Sequence, residues 1–119
     1  MRKLAASLVL AVTLGAASIA DAAPRVRFTK LTSPVYRGNN ATATVSTTRG
    51  ASCSITVNYR SGRSSAKGLA RKTASSNGVA SWTWKVGTNT TPGRASVRVA
   101  CTKSGSTGSA TKYFEVRRR

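Results

Sequence analysis

Within "GVASWTWKV", residues 78–86, the chain alternates strictly between apolar and polar positions from Ala80 onward. Ala80, Trp82, Trp84 and Val86 share one face of an extended chain, and Ser81, Thr83 and Lys85 take the other. A period of two over this length predicts a half-buried strand over 79–86, with both tryptophans facing a core and the lysine facing solvent. The same alternation recurs over 52–60, where Cys53, Ile55, Val57 and Tyr59 oppose Ser54, Thr56, Asn58 and Arg60. It recurs again over 94–103, where Ala95, Val97, Val99 and Cys101 oppose Ser96, Arg98, Ala100 and Thr102. "RVRFTKL" (25–31), the β-branched "ATATVSTT" (41–48) and "ATKYFEV" (110–116) read as further strands.

Turn chemistry separates these runs. Pro34 with Gly38-Asn39-Asn40, Arg49-Gly50, Ser61-Gly62, Asn77-Gly78 (a two-residue hairpin signal leading into the tryptophan strand), Thr91-Pro92-Gly93 and a polar turn bracketed by Gly105 and Gly108 each break an extended segment. "RSSAKGLARKTASS" (63–76) is the least patterned stretch. It is read as a loop over 61–67 and a short strand over 68–74. Its Ala, Leu, Lys and Arg would also suit a helix, but the flanking Gly and Ser oppose one. Seven short strands at these spacings predict an all-β, antiparallel Greek-key sandwich. Ile55, Val57, Trp82, Trp84, Val97, Val99 and Phe114 are its expected core.

"CSITVNY", "AKGLARK", "GVASWTWKVG", "TTPG" and the returning "VRVAC" together resemble a recurring secreted bacterial module of the immunoglobulin-like class. That class is related in shape to fibronectin type III and bacterial Ig-like domains. The likeness covers most of the chain after residue 22, and the tryptophan segment is its most specific part. It implies a seven-stranded immunoglobulin-like sandwich serving as an extracellular accessory or binding module, and it carries over no catalytic residue. The chain departs from the antibody pattern, since no tryptophan follows Cys53 closely and Val99 stands where a tyrosine corner needs Tyr. A bridge between neighbouring strands of one sheet is therefore expected, in place of one crossing the core.

The N-terminus changes how the cysteines are read. Arg2 and Lys3 precede the apolar run "LAASLVLAVTLGAASIA", and Ala20-Asp21-Ala22 supplies small residues where a signal peptidase reads them. Residues 1–22 are thus expected to be a signal peptide and 23–119 a single domain, secreted or associated with the cell envelope. A retained membrane anchor is the alternative, but the run is short for a span and broken by Gly15 and Ser18. No transmembrane span is expected in the mature protein. In an oxidising compartment Cys53 and Cys101, the two cysteines of the chain, are most simply one disulfide. Closing a loop of nearly half the mature chain is worth ~4 kcal/mol by chain entropy.

Charge adds the strongest compositional signal. The chain has 20 Lys and Arg against 2 acids, a formal net charge of +18. Removing Arg2, Lys3 and Asp21 with the leader leaves eighteen basic residues against Glu115 alone, about +17. Such an excess attracts polyanions: teichoic acids, anionic lipid headgroups, lipopolysaccharide phosphates, extracellular DNA and acidic polysaccharides. The competing reading is compositional bias or a solubility device. Arg60, Arg63, Lys67, Arg71 and Lys72 form one candidate polyanion-binding group, and Arg98, Lys103, Arg117, Arg118 and Arg119 a second. If strands 52–60, 94–103 and 110–116 are neighbours, their outward faces collect Thr56, Asn58, Arg60, Arg98, Thr102 and Tyr113. No nucleic-acid motif is present, so DNA binding would be nonspecific and salt-dependent.

Catalysis is opposed by count. The chain has no histidine, and one carboxylate side chain remains after leader removal, so paired-carboxylate hydrolysis, histidine triads and the usual metal sites lack their groups. Two cysteines without histidine make a poor metal site. No cofactor, metal or enzymatic activity is expected. Two function classes follow: a cationic module held by anionic polymers, and a structural or adhesive surface protein whose charge is incidental. A cationic antimicrobial is a thinner third reading, since the amphipathic helix of membrane-disrupting peptides is missing. No motif identifies a protein partner.

Overall fold

In the computed structural model, residues 23–118 are described. Arg119 and residues 1–22, with the expected signal peptide, lie outside them. The described residues form nine strand segments and no helix: β1 (Arg27–Leu31), β2 (Val35–Tyr36), β3 (Asn40–Ser46), β4 (Ser52–Tyr59), β5 (Gly62–Arg63), β6 (Lys72–Thr73), β7 (Val79–Lys85), β8 (Gly93–Lys103) and β9 (Ser106–Arg117). One sheet has the order β1-β3-β7; the other runs β2-β9-β8-β4-β5, with β6 also pairing β4. The two sheets make an all-β, immunoglobulin-like sandwich.

Alternation decides which side chains enter the space between the sheets. β7 buries Ala80, Trp82 and Trp84 while Val79, Ser81, Thr83 and Lys85 point out. Cross-strand register carries this to β3, where Trp82 faces Ala43 and Trp84 faces Ala41. Two alanines opposite two indoles let the sheets approach while the large rings fill the gap. β4 and β8 present Ile55 opposite Val99 and Val57 opposite Val97, all buried in the same cluster with Phe114. Trp82 is 1% exposed and Trp84 2%. Their indole nitrogens still need acceptors, and each finds one: Trp82 Nε1 donates to the Ala70 carbonyl (2.8 Å) and Trp84 Nε1 to the Tyr59 hydroxyl (3.0 Å). Phe114 meets Tyr59 and Trp84 edge-to-face, both at 6.2 Å.

Cys53 and Cys101 are directly opposite each other on β4 and β8, with Cα atoms 4.0 Å apart, and are disulfide-bonded. The bridge joins neighbours within one sheet.

Four expectations change. The strand expected over 68–74 contracts to Lys72–Thr73, because Gly68 adopts φ +95° against the Thr83 carbonyl and the Ala70 carbonyl turns to accept from Trp82. The expected loop over 61–67 contains β5, paired to Asn58 and Tyr59. The Asn77-Gly78 turn forms, closed by Gly78 N–H to the Ser75 carbonyl (2.8 Å), but it leads from β6 in one sheet to β7 in the other. Finally, Gly105 through Gly108 is no four-residue turn. The chain reverses at Ser104-Gly105, both with positive φ, and β9 begins at Ser106, giving one long β8–β9 hairpin. Gly108 sits inside β9 because the Pro24 carbonyl packs where a Cβ would stand.

Candidate functional site: a basic cleft at one end of the sandwich

The segment after β5 is held by local polar contacts that sequence periodicity cannot express. Ser64 N–H donates to the Val57 carbonyl (2.8 Å), and the Ser64 hydroxyl accepts from Ala66 N–H (3.2 Å). From there the chain crosses to the edge of β7, where Gly68 lies against Thr83 and Lys72 Nζ donates to the Ser81 carbonyl (2.8 Å). Beyond β7, the turn over 87–90 closes with Thr90 N–H to the Gly87 carbonyl (3.2 Å). Thr91 N–H donates to the Ser61 hydroxyl (3.3 Å), tying this turn to the start of β5.

Between the two loops opens a cleft of about 630 Å³. Arg63 and Lys67 line one wall and Lys85, from the end of β7, the other. Ser65, Thr88 and Asn89 add short polar groups, and Tyr59 contributes the aromatic part of the lining. No carboxylate lines the cleft. Among the described residues, the heads of Arg63, Lys67 and Lys85 make no hydrogen bond or ion pair. Like charges gathered in a concavity focus a positive potential there. A smaller hollow, about 340 Å³, lies between the same 63–70 segment and β4, over Ile55 and Val57.

The other candidate cations are placed differently. Arg71 donates to the Ser52 hydroxyl (3.1 Å), Lys72 to β7 as above, and Arg98 to the Ser109 hydroxyl (3.3 Å). These three charges also do structural work at the surface. Arg60 reaches from the end of β4 across Gly93. Lys103 extends over Gly50 at the far end of β8. Arg117 and Arg118 are exposed at the end of β9, and Arg119 lies outside the described residues. The group over residues 60–72 therefore divides: Arg63 and Lys67 enter the cleft, while Arg71 and Lys72 are committed to neighbouring strands.

The outward sheet face holds the expected row of polar groups, with Asn58 opposite Ser96 and Ser96 opposite Tyr113, then Thr56 opposite Arg98 and Arg98 opposite Thr111. Tyr113 is 54% exposed, but Arg94 lies over its ring at 3.9 Å. Hydroxyl pairs such as Thr102 with Thr107 (2.8 Å), and on the opposite sheet Thr42 with Thr83 (3.0 Å) and Thr44 with Ser81 (2.9 Å), bond to one another across strands. Lys85, Thr88 and Asn89 were not among the sequence-derived binding residues. The alternation that placed Lys85 on the outer face was the available signal, but it could not say which loop stands opposite.

Among the described residues no group of three or more His, Cys, Asp or Glu could hold a metal ion, and no helix is long and apolar enough to cross a membrane. No family model and no curated protein matches the chain. Among solved structures, titin M4 in its trigonal form aligns with 83% of this chain and 98% of its own, at 18% identity and a TM-score of 0.46. The titin domains z1z2 in complex with telethonin align with 83% of this chain at 20% identity and a TM-score of 0.47; the match spans 50% of that longer chain.

Proposed function

We propose that this protein is a secreted, non-catalytic, cationic immunoglobulin-like module that binds anionic polymers of the cell envelope or extracellular space by electrostatic attraction. The observation that carries this reading is the cleft: three cationic heads without internal partners converge on it, and no acid offsets them. Each cation that displaces condensed counterions from a polymer makes the affinity fall with salt.

The test is a salt series with the processed, oxidised protein on heparin-type resin and on whole cells. Retention should weaken steeply as ionic strength rises. Retention unchanged from low to high salt refutes the proposal. The adhesive alternative keeps one specific support, since Arg71, Lys72 and Arg98 are engaged with neighbouring strands of the same domain. That reading expects binding to cells that survives a high-salt wash.

A further inference from the structure

Polyanions differ in what they present besides charge, and the cleft differs from a plain basic patch in what it offers besides cations. Ser65, Thr88 and Asn89 stand beside Arg63, Lys67 and Lys85. Hydroxyls and a carboxamide both donate and accept, whereas ammonium and guanidinium groups only donate. A ligand matched to this set must carry anionic groups and, close to them, hydroxyls that also donate and accept. That is the chemistry of an acidic polysaccharide.

The aromatic groups argue in the same direction. Binding single-stranded nucleic acid relies on exposed rings on which successive bases stack. Here Trp82 and Trp84 are buried, Arg94 lies over the Tyr113 ring, the exposed Tyr36 lies outside the cleft lining, and Tyr59 is half-buried with its hydroxyl accepting from Trp84 and its ring against Phe114. A membrane surface would call for apolar groups that enter the headgroup region beside the cations. Among the described residues, the exposed large hydrophobic ones are Tyr36, Val79 and Tyr113, and none of them lines the cleft.

We propose that the cleft between the 61–67 segment and the 87–90 turn binds an anionic carbohydrate polymer, with Arg63, Lys67 and Lys85 taking its charged groups and Ser65, Thr88 and Asn89 its hydroxyls. This inference rests on the polyanion-binding reading above and narrows it to one ligand class and one site.

Four probes test it by calorimetric titration with the processed, oxidised protein: polygalacturonate, inorganic polyphosphate, single-stranded DNA and phosphatidylglycerol vesicles, at matched anionic charge and salt. Replacing Arg63, Lys67 and Lys85 together by Ser should weaken polygalacturonate binding about tenfold or more, against about twofold for the equally charged change of the exposed Lys30, Arg49 and Lys112 to Ser. Lys85→Gln alone, a surface change touching no internal bond, should give an intermediate loss. Asn89→Ala removes no charge; it should weaken polygalacturonate about threefold and leave polyphosphate binding unchanged. Equal losses from the two triple variants overturn the site while leaving electrostatic binding intact. Tighter binding of DNA or vesicles than of polygalacturonate overturns the ligand class. Failure of all four probes to bind overturns the polyanion reading itself.

Discussion

Replacing Cys53 and Cys101 together by Ala tests how this small sandwich is held. The bridge spans a sequence separation of 48. Cutting it restores to the unfolded chain a loop entropy of about 13.6 cal/mol/K, or ~4 kcal/mol at 25 °C. Removing two fully buried sulfur atoms adds about 1–2 kcal/mol, because β4 and β8 are already paired and cannot close the space completely. Domains of this size are stable by about 5–15 kcal/mol, so the variant should be marginal, with Tm lower by about 20 °C or more. Urea unfolding followed by tryptophan emission measures both quantities that matter. If the bridge acts on the unfolded state, the midpoint falls and the slope m rises, because the uncrosslinked chain exposes more surface. A loss below about 1 kcal/mol with m unchanged would refute the loop-closure reasoning.

Two other substitutions probe the elements around the cleft. Gly68→Ala places a methyl group against the Thr83 carbonyl at φ +95° and should cost about 2–4 kcal/mol, whereas Gly105→Ala, at φ +84° in open space, should cost about 1 kcal/mol. Equal costs in thermal or urea unfolding would show that the 63–70 segment does not press on β7. Tyr59→Phe leaves the buried Trp84 indole N–H without its acceptor while keeping the ring beside Phe114; a loss of about 1–2 kcal/mol is expected, with an altered near-UV tryptophan signal. No change in either measurement would mean that the indole finds another acceptor.

Alternation made β4, β7 and β8 legible because each has one face sealed by the opposing sheet, and a sealed face permits only apolar side chains. The start of β9 was not legible for the complementary reason. The part missed is Ser106 to Ser109, where no side chain is fully buried and no apolar alternation marks the strand even though the backbone pairs with β8 throughout. β6 and the segment before it were misjudged because their conformation is set from a distance, by an indole needing an acceptor and by a glycine filling a gap beside Thr83. The cleft falls in the same class. Arg63 and Lys67 could be picked out as cations, but their meeting with Lys85 and Asn89 depends on how two loops far apart in sequence fold onto one end of the sandwich.

The segment that forms one wall of the cleft also lies along the outer edge of β7, with Gly68 pressed on Thr83 and the Lys72 ammonium on the Ser81 carbonyl. A bare strand edge invites pairing with another chain, and a lysine placed there discourages it. On the proposed function, the same dozen residues would serve recognition and solitude at once. Evolutionary change in ligand preference, if it works by reshaping this wall, must pass through variants that keep the edge covered. Lost binding and edge-to-edge assembly would otherwise arrive as one phenotype.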